Sequence, residues 1–154
     1  MKEIKRIWVR LLSGHSAEFQ PDTKTCLIDQ RFLLSEPVEF IASAIIHEGT
    51  HGRLLARNIP YSESLRYRVE RACLRRELAF APKVPNGEVV IAQTKAKLGH
   101  PPEVFTDEAM LERSHVGEIE AARVAGIPDW IIRVALQVRH IRTKLATSGT
   151  EARP

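Results

Sequence analysis

Two histidines and a glutamate lie at a spacing that can hold a metal ion and use it. They are His47, Glu48 and His51, within residues 45–52. On a helix, side chains four residues apart share a face, so both imidazoles can reach one ion. The Glu48 carboxylate then lies beside that ion, where it can hold a water molecule and accept its proton. The pattern His-Glu-x-x-His therefore predicts a zinc site with a general base for metal-assisted hydrolysis.

The residues before the motif favour the helix that this chemistry needs. Ser35 suits the N-cap, Pro37 suits the first turn, and Glu36 and Glu39 suit the positive end of the helix. Apolar residues at helical spacing predict a stripe that faces the core: Val38, Ile41, Ile45, Leu54 and Leu55. The two histidines would then face a cleft. The alternative is an ordinary amphipathic helix with two partly exposed histidines.

A catalytic zinc ion needs a third protein ligand besides two histidines, and one position open for water. A second helix is predicted from Ser62 to about Phe80, after a break at Pro60. Glu70 lies beside the apolar side of this helix, where an unpaired carboxylate is unfavourable. We therefore predict Glu70 as the third ligand. An ion pair of Glu70 with Arg66 or Arg71 is the alternative.

Other residues compete for roles at the same site. Glu63 and Glu77 are the competing carboxylates on the second helix. Cys73 could reach a metal as a thiolate, although a small buried core cysteine is the simpler interpretation. Tyr61 or Tyr67 could donate a hydrogen bond to an oxyanion, and the sequence favours neither.

Two strands are predicted before the motif helix. Residues 4–12 alternate in the manner of a strand, residues 14–23 read as a loop, and residues 25–29 form a second strand that continues to residue 34. The second strand could lie along the cleft as an edge and pair with an extended peptide. We expect a small, largely antiparallel sheet packed on the motif helix, in an α+β fold.

The order of strand, motif helix, turn and second helix resembles the catalytic core of the gluzincin superfamily of zinc metallopeptidases, in its smallest form. The resemblance covers about residues 25–80. It implies a zincin-like fold, with His47, His51 and Glu70 as zinc ligands and Glu48 as general base. The chain is shorter than larger gluzincins, and no downstream histidine or tyrosine is identified for the oxyanion.

The remainder of the chain is predicted to be mostly helical. Residues 81–106 are rich in loops and contain a short helix at 88–98, with Asn86 as its cap. A helical hairpin follows over 107–146, and 147–154 form a flexible tail. We expect residues 1–146 to form a single zincin-like domain.

Three single residues mark this helical part. Thr106 is predicted to cap the first helix of the hairpin, and Gly126 is predicted to end it. His115 lies on the apolar side of that helix. We interpret it as a structural histidine with a satisfied hydrogen-bond partner.

Composition narrows the classes of partner. The chain has 154 residues, a net charge of +4 and two cysteines, Cys26 and Cys73. Two cysteines are too few for a disulfide framework, which favours a reducing cytoplasmic compartment. No apolar run approaches the ~20 residues of a membrane span. The mild basic charge weakly favours acidic partners, and nucleic acid is an unlikely one.

We therefore expect a zinc-dependent hydrolase that acts on a peptide or protein substrate, in which Glu48 activates a zinc-bound water. The first alternative is a zincin-like domain that binds a metal ion or a protein partner without turnover. The second alternative is a basic, helical protein that binds nucleic acid and carries the motif by accident, which would show binding that depends strongly on salt.

Overall fold

The computed structural model describes the backbone of residues 2–148 and the side chains of residues 2–138. Three strands precede six helices, so the fold is α+β and mostly helical, as predicted. The strands are β1 (Arg6–Arg10), β2 (Ala17–Gln20) and β3 (Thr25–Asp29). The helices are α1 (Gln30–Ser35), α2 (Val38–Leu55), α3 (Glu63–Phe80), α4 (Gly87–Leu98), α5 (Asp107–Val124) and α6 (Asp129–Ser148). Two short 3-10 segments lie at Ala81–Lys83 and Pro102–Phe105.

The sheet is mixed, and the prediction of a largely antiparallel sheet was wrong. Strand β3 lies in the centre, parallel to β1 and antiparallel to β2. All five residues of β3 are buried, whereas every residue of β1 is exposed. The central strand is the one that pairs on both edges, and β3 differs from β1 in lacking the arginines that begin and end β1. The alternation in residues 4–12 predicts a strand but carries no information about the direction of its partner.

The edge strand beside α2 is β2, which the sequence analysis assigned to a loop. Gly14 and Pro21 flank this short strand and dominate its sequence signal. Gly14 has a φ of 77°, and a turn at residues 21–24 joins β2 to β3. Because β3 is central, the predicted edge strand was the wrong one, and β2 takes that position.

The predicted continuation of β3 to residue 34 was also wrong, because α1 begins directly after it. The Asp29 carboxylate accepts hydrogen bonds from the backbone N–H groups of Arg31 and Phe32, at 2.8 and 3.2 Å. This N-cap turns the chain into a helix within one residue of the strand. Ser35 therefore ends α1, and Pro37 takes the N-cap position of α2.

Helix α2 buries a different face from the apolar stripe that the sequence suggested. Val38 and Leu55 are 70% and 40% exposed. The buried positions of α2 are polar or small: Glu39, Ser43, Glu48, Gly49 and Gly52. Glycine at position 52 lets β2 approach closely, because a Cβ there would meet the Phe19 ring. The helix is thus placed by close contact on its polar side, which also carries the motif.

The later helices agree well with the predicted segments. Helix α3 begins after Ser62, as expected, and α4 matches the predicted helix at 88–98. The side chain of Thr106 caps α5 by accepting a hydrogen bond from the Ala109 backbone at 3.3 Å. Asn86 occupies the N-cap position of α4, but its side chain donates to Glu39 instead, at 3.0 Å.

Helices α5 and α6 are joined by a turn in which Gly126 has a φ of 78°. Helix α6 extends to Ser148, so the predicted flexible tail at 147–154 overlaps its last two residues, and its remaining part, 149–154, lies outside the described residues. Of the helices that the structure describes, none is long and apolar enough to cross a membrane.

Candidate metal centre

A cleft of about 580 Å³ opens along one side of α2. The edge strand β2 and the residues before it form one wall, and α3, α4 and residues 105–113 contribute the others. His47, Glu48 and His51 all line this cleft, and Glu70 lines it from α3. The structure therefore brings together all four residues that the sequence analysis singled out.

The Glu70 carboxylate reaches both motif histidines. Oε2 of Glu70 lies 3.2 Å from Nε2 of His47, and Oε1 of Glu70 lies 3.4 Å from Nε2 of His51. Each oxygen contacts one imidazole, so the carboxylate lies between the two histidines. This arrangement arises because α2 and α3 pack against each other with these positions facing.

Cys73 forms a second possible donor set with the same histidines. One ligand atom from each of His47, His51 and Cys73 lies within 4.8 Å of the others, a group that could hold a metal ion. Cys73 is fully buried one helical turn after Glu70. Burial, together with the nearby charges of Glu70 and Glu48, raises the pKa of the Cys73 thiol. Glu70 differs from Cys73 in having a lowered pKa, so it is already an anion.

A shell of hydrogen bonds holds His47 from behind. Nδ1 of His47 lies 2.7 Å from Oε1 of Glu77, so Nε2 is directed toward Glu70. Oε2 of Glu77 accepts hydrogen bonds from Ser43 at 2.6 Å and from Thr94 at 3.4 Å. The sequence analysis listed Glu77 only as a competing ligand and missed this role. Its position seven residues after Glu70, on the same face of α3, was the available signal.

The charges of this shell set the protonation of the metal-free site. Burial lowers the pKa of His47, but hydrogen bonds to Glu70 and Glu77 outweigh it and raise that pKa to about 10. Burial raises the pKa of Glu70, and the bonds to His47 and His51 reverse this and hold it well below its ordinary value. The same balance lowers the pKa of Glu77. In the metal-free site, the positively charged His47 ring is thus held between the carboxylates of Glu70 and Glu77.

Glu48 is a buried residue of the cleft lining. It is 8% exposed. Burial raises the pKa of Glu48 above its ordinary value, although the charges of His47 and His51 oppose this rise. A carboxylate with a raised pKa takes up a proton more readily, as a general base requires.

Of the two tyrosines left open by the sequence, only Tyr61 lines the described cleft. Its hydroxyl donates to Oε1 of Glu70 at 2.6 Å, and its ring meets that of His51 edge-on at 5.1 Å. Burial and the charge of Glu70 raise the pKa of Tyr61, so its hydroxyl keeps its proton. Tyr67 instead contacts Phe105 and the Arg71 guanidinium.

The predicted competitors of Glu70 have other partners. Glu63 accepts a hydrogen bond from the Asp107 backbone at 2.8 Å, away from the histidines. Arg66 pairs with Asp107 at 2.6 Å, and Arg71 donates to the Leu98 carbonyl at 2.9 Å. The alternative ion pairs of Glu70 with these arginines are therefore replaced by the contacts to His47 and His51.

His115 differs from its prediction. Its Nε2 atom is buried and has no hydrogen-bond partner among the described residues, so the expected satisfied histidine was wrong at this atom. His115 lies outside the lining of the cleft. Nothing in its surroundings connects it to the two motif histidines.

Comparison with known proteins gave no match: no family model, no curated protein and no solved structure is similar to this chain. The site is therefore interpreted from its own atoms. These support a possible metal-binding group on α2 and α3 that contains His47, His51 and Cys73.

Proposed function

We propose that this protein is a zinc-dependent hydrolase, a small metallopeptidase of the gluzincin type. His47, His51 and Glu70 would hold the zinc ion, and Glu48 would act as general base. The observation that carries the proposal is the approach of both Glu70 oxygens to the two Nε2 atoms, at 3.2 and 3.4 Å. An ordinary ion pair needs one such contact, whereas a ligand set needs all three donors to face one point.

The zinc ion, when bound, supplies Lewis acidity for polarising a substrate carbonyl and acidifying water. The chain's own groups do the remaining work. Glu48 can accept a proton from a water molecule in the cleft and return it to the leaving amine. The Tyr61 hydroxyl, which keeps its proton and borders the site, can donate a hydrogen bond to an oxyanion. Glu77 holds the His47 ring in one tautomer and orientation.

An extended peptide is the substrate that suits the shape and chemistry of the cleft. One wall is formed by β2, an edge strand that can pair with an added strand. The backbone of Phe19 on this strand already hydrogen-bonds to Glu48, which joins the strand to the proposed general base. Aromatic and aliphatic side chains line the remainder, among them Phe19, Phe40 and Leu54. Such a groove binds a peptide through its backbone while apolar pockets accept its side chains.

A metal-binding domain without turnover is the second candidate, and Cys73 is the observation that favours it. A thiolate from Cys73, added to His47, His51 and Glu70, would make four protein ligands around the ion and leave no position for water. In that case Glu48 would have no catalytic role, and the cleft would bind a protein partner.

The test combines zinc content with peptide cleavage in purified wild type and four variants: His47→Ala, Glu70→Ala, Glu48→Gln and Cys73→Ser. We expect about one zinc ion per chain in wild type, Glu48→Gln and Cys73→Ser, and loss of zinc in the other two. Glu48→Gln should cleave a quenched fluorescent peptide library at least ~100-fold more slowly than wild type. Glu88→Gln is the matched control, since Glu88 is exposed on α4 and is not part of the cleft lining.

The results distinguish the hydrolase from the metal-binding domain without turnover. Loss of zinc in Cys73→Ser, together with a zinc-loaded wild type that cleaves nothing, would favour the domain without turnover. A wild type that binds no zinc after reconstitution would contradict both candidates. Circular dichroism of every variant shows whether a loss of zinc reflects a lost ligand or a lost fold.

A further inference from the structure

Two basic side chains line the cleft. Lys97 on α4 and Arg113 on α5 are both exposed and both border the cleft. Within the part of the chain whose side chains are described, neither lies within ion-pairing distance of an acidic group. Arg113 donates to the Val104 carbonyl and to the Met110 sulfur, which fixes its position but leaves its charge unpaired.

A short series of contacts connects Lys97 with the candidate metal centre. Glu77 joins His47 to Thr94 through its two oxygens, at 2.7 and 3.4 Å. Lys97 follows Thr94 by three residues on α4, so the two side chains are neighbours on one helix face. Gln93 lines the cleft one turn before Lys97 and offers an amide donor.

Glu77 does not neutralise the charge of the Lys97 ammonium. Glu77 is 4% exposed, and its oxygens are already bonded to His47, Ser43 and Thr94. Lys97 remains exposed to the solvent of the cleft. Glu18 of β2 is an exposed acidic residue of the same lining. Arg113 is separate from Lys97 on α4, because its backbone lies beside Gly14 in the segment before β2.

We propose that Lys97 selects substrates that carry a carboxylate near the cleaved bond. This inference rests on the proposed hydrolase function. An acidic side chain and a free C-terminal carboxylate share the chemistry that an ammonium recognises. An extended peptide advances ~3.3 Å per residue, so moving one acidic residue along the peptide samples the reach of Lys97 in steps of that length.

The experiment measures cleavage and binding of three sets of peptides, which carry Glu, Gln or Lys at successive positions around the cleaved bond. Each peptide is made both with a free C-terminus and with an amidated one. Cleavage is measured with zinc-loaded wild type, Lys97→Glu and Lys95→Glu. Binding is measured by fluorescence anisotropy in the Glu48→Gln background. Lys95 is the matched control, because it is exposed on the same helix and is not part of the cleft lining.

We expect wild type and Lys95→Glu to prefer the Glu peptide over the Gln peptide about fivefold in kcat/KM, as exposed ion pairs allow. Lys97→Glu should prefer the Lys peptide instead. A preference that disappears on C-terminal amidation assigns the carboxylate to the chain terminus, and one that survives assigns it to a side chain.

Equal cleavage of the Glu and Gln peptides by wild type would overturn the selection by Lys97 while leaving the hydrolase intact. An equal shift in Lys95→Glu would overturn it as well, since the effect would then come from net charge. If zinc-loaded wild type bound the Glu peptide without cleaving it, the hydrolase function would be contradicted. Lys97 would then remain a carboxylate-binding residue.

Discussion

The Nδ1 atom of His47 lies 2.7 Å from Oε1 of Glu77, while Nε2 of the same ring faces Glu70 at 3.2 Å. One imidazole is therefore held between two carboxylates from the same helix. The buried Glu77 fixes the ring, and the less buried Glu70 shares its outer nitrogen with the cleft. Helix α3 therefore contributes two carboxylates with different roles, Glu70 and Glu77, which lie seven residues apart.

Replacement of Glu77 by glutamine should weaken zinc binding by about tenfold while the fold is kept. The amide can still accept a hydrogen bond from Nδ1, but it lacks the negative charge that raises the basicity of His47. Competition with a zinc-binding dye measures the affinity, and Glu88→Gln on the exposed side of α4 is the control. An unchanged affinity would show that Glu77 only fills space beside His47.

Removal of the Tyr61 hydroxyl in Tyr61→Phe should lower kcat by about 100-fold with a small effect on KM. A group that stabilises an oxyanion acts mainly in the transition state, so its loss appears in kcat. Tyr67→Phe supplies the control, because Tyr67 itself is not part of the cleft lining. Steady-state kinetics on one cleaved peptide would decide it, and a rise in KM alone would mean that Tyr61 only binds the substrate.

Acid should destabilise the turn between β3 and α1 through Asp29. Burial raises the pKa of Asp29, but hydrogen bonds from Arg31 and from the backbone of Leu12 and Phe32 lower it below its ordinary value of 3.8. A carboxylate whose folded pKa is depressed stabilises the fold above its unfolded pKa, and this stability is lost as the pH falls through the folded pKa. The loss should therefore begin near pH 4 and increase toward lower pH.

Urea unfolding of Asp29→Asn measures this contribution. We expect the variant to lose about 2 kcal/mol at pH 7 and less than that at pH 3, because wild type has already lost part of the contribution there. Asp22→Asn, in the exposed turn before β3, should change the free energy of unfolding little at either pH. Equal losses for Asp29→Asn at both pH values would contradict the depressed pKa.

Gly117→Ala should reduce the stability of the fold by about 3 kcal/mol, because overpacking forces backbone to move. A Cβ on Gly117 would collide with the backbone of Gly14, in the segment that leads into β2. Gly99→Ala is a milder change, since its Cβ would meet only the end of its own helix at 3.2 Å. Thermal unfolding compares the two variants, and equal melting temperatures would show that the 13–16 segment yields without cost.

The helices were predictable because their signals are local. Ser62, Thr106 and the spacing of apolar residues fixed where α3 and α5 begin. Strand β2 and helix α1 were missed because stronger local signals hid them: glycine and proline around β2, and β-branched residues leading into α1. The capping role of Asp29 depends on two backbone donors that exist only once the chain has turned.

The sequence alone determined the pair of histidines and the glutamate between them, because a helix places residues four apart on one face whatever surrounds it. The partners across the cleft were decided by tertiary structure: the approach of Glu70 to both histidines, the bond from His47 to Glu77, and the position of Cys73. These contacts depend on how α2 and α3 rotate against each other. Buried polar contacts from Ser43 and His47 of α2 to Glu77 of α3 accompany that rotation, and a linear pattern of apolar residues does not specify them.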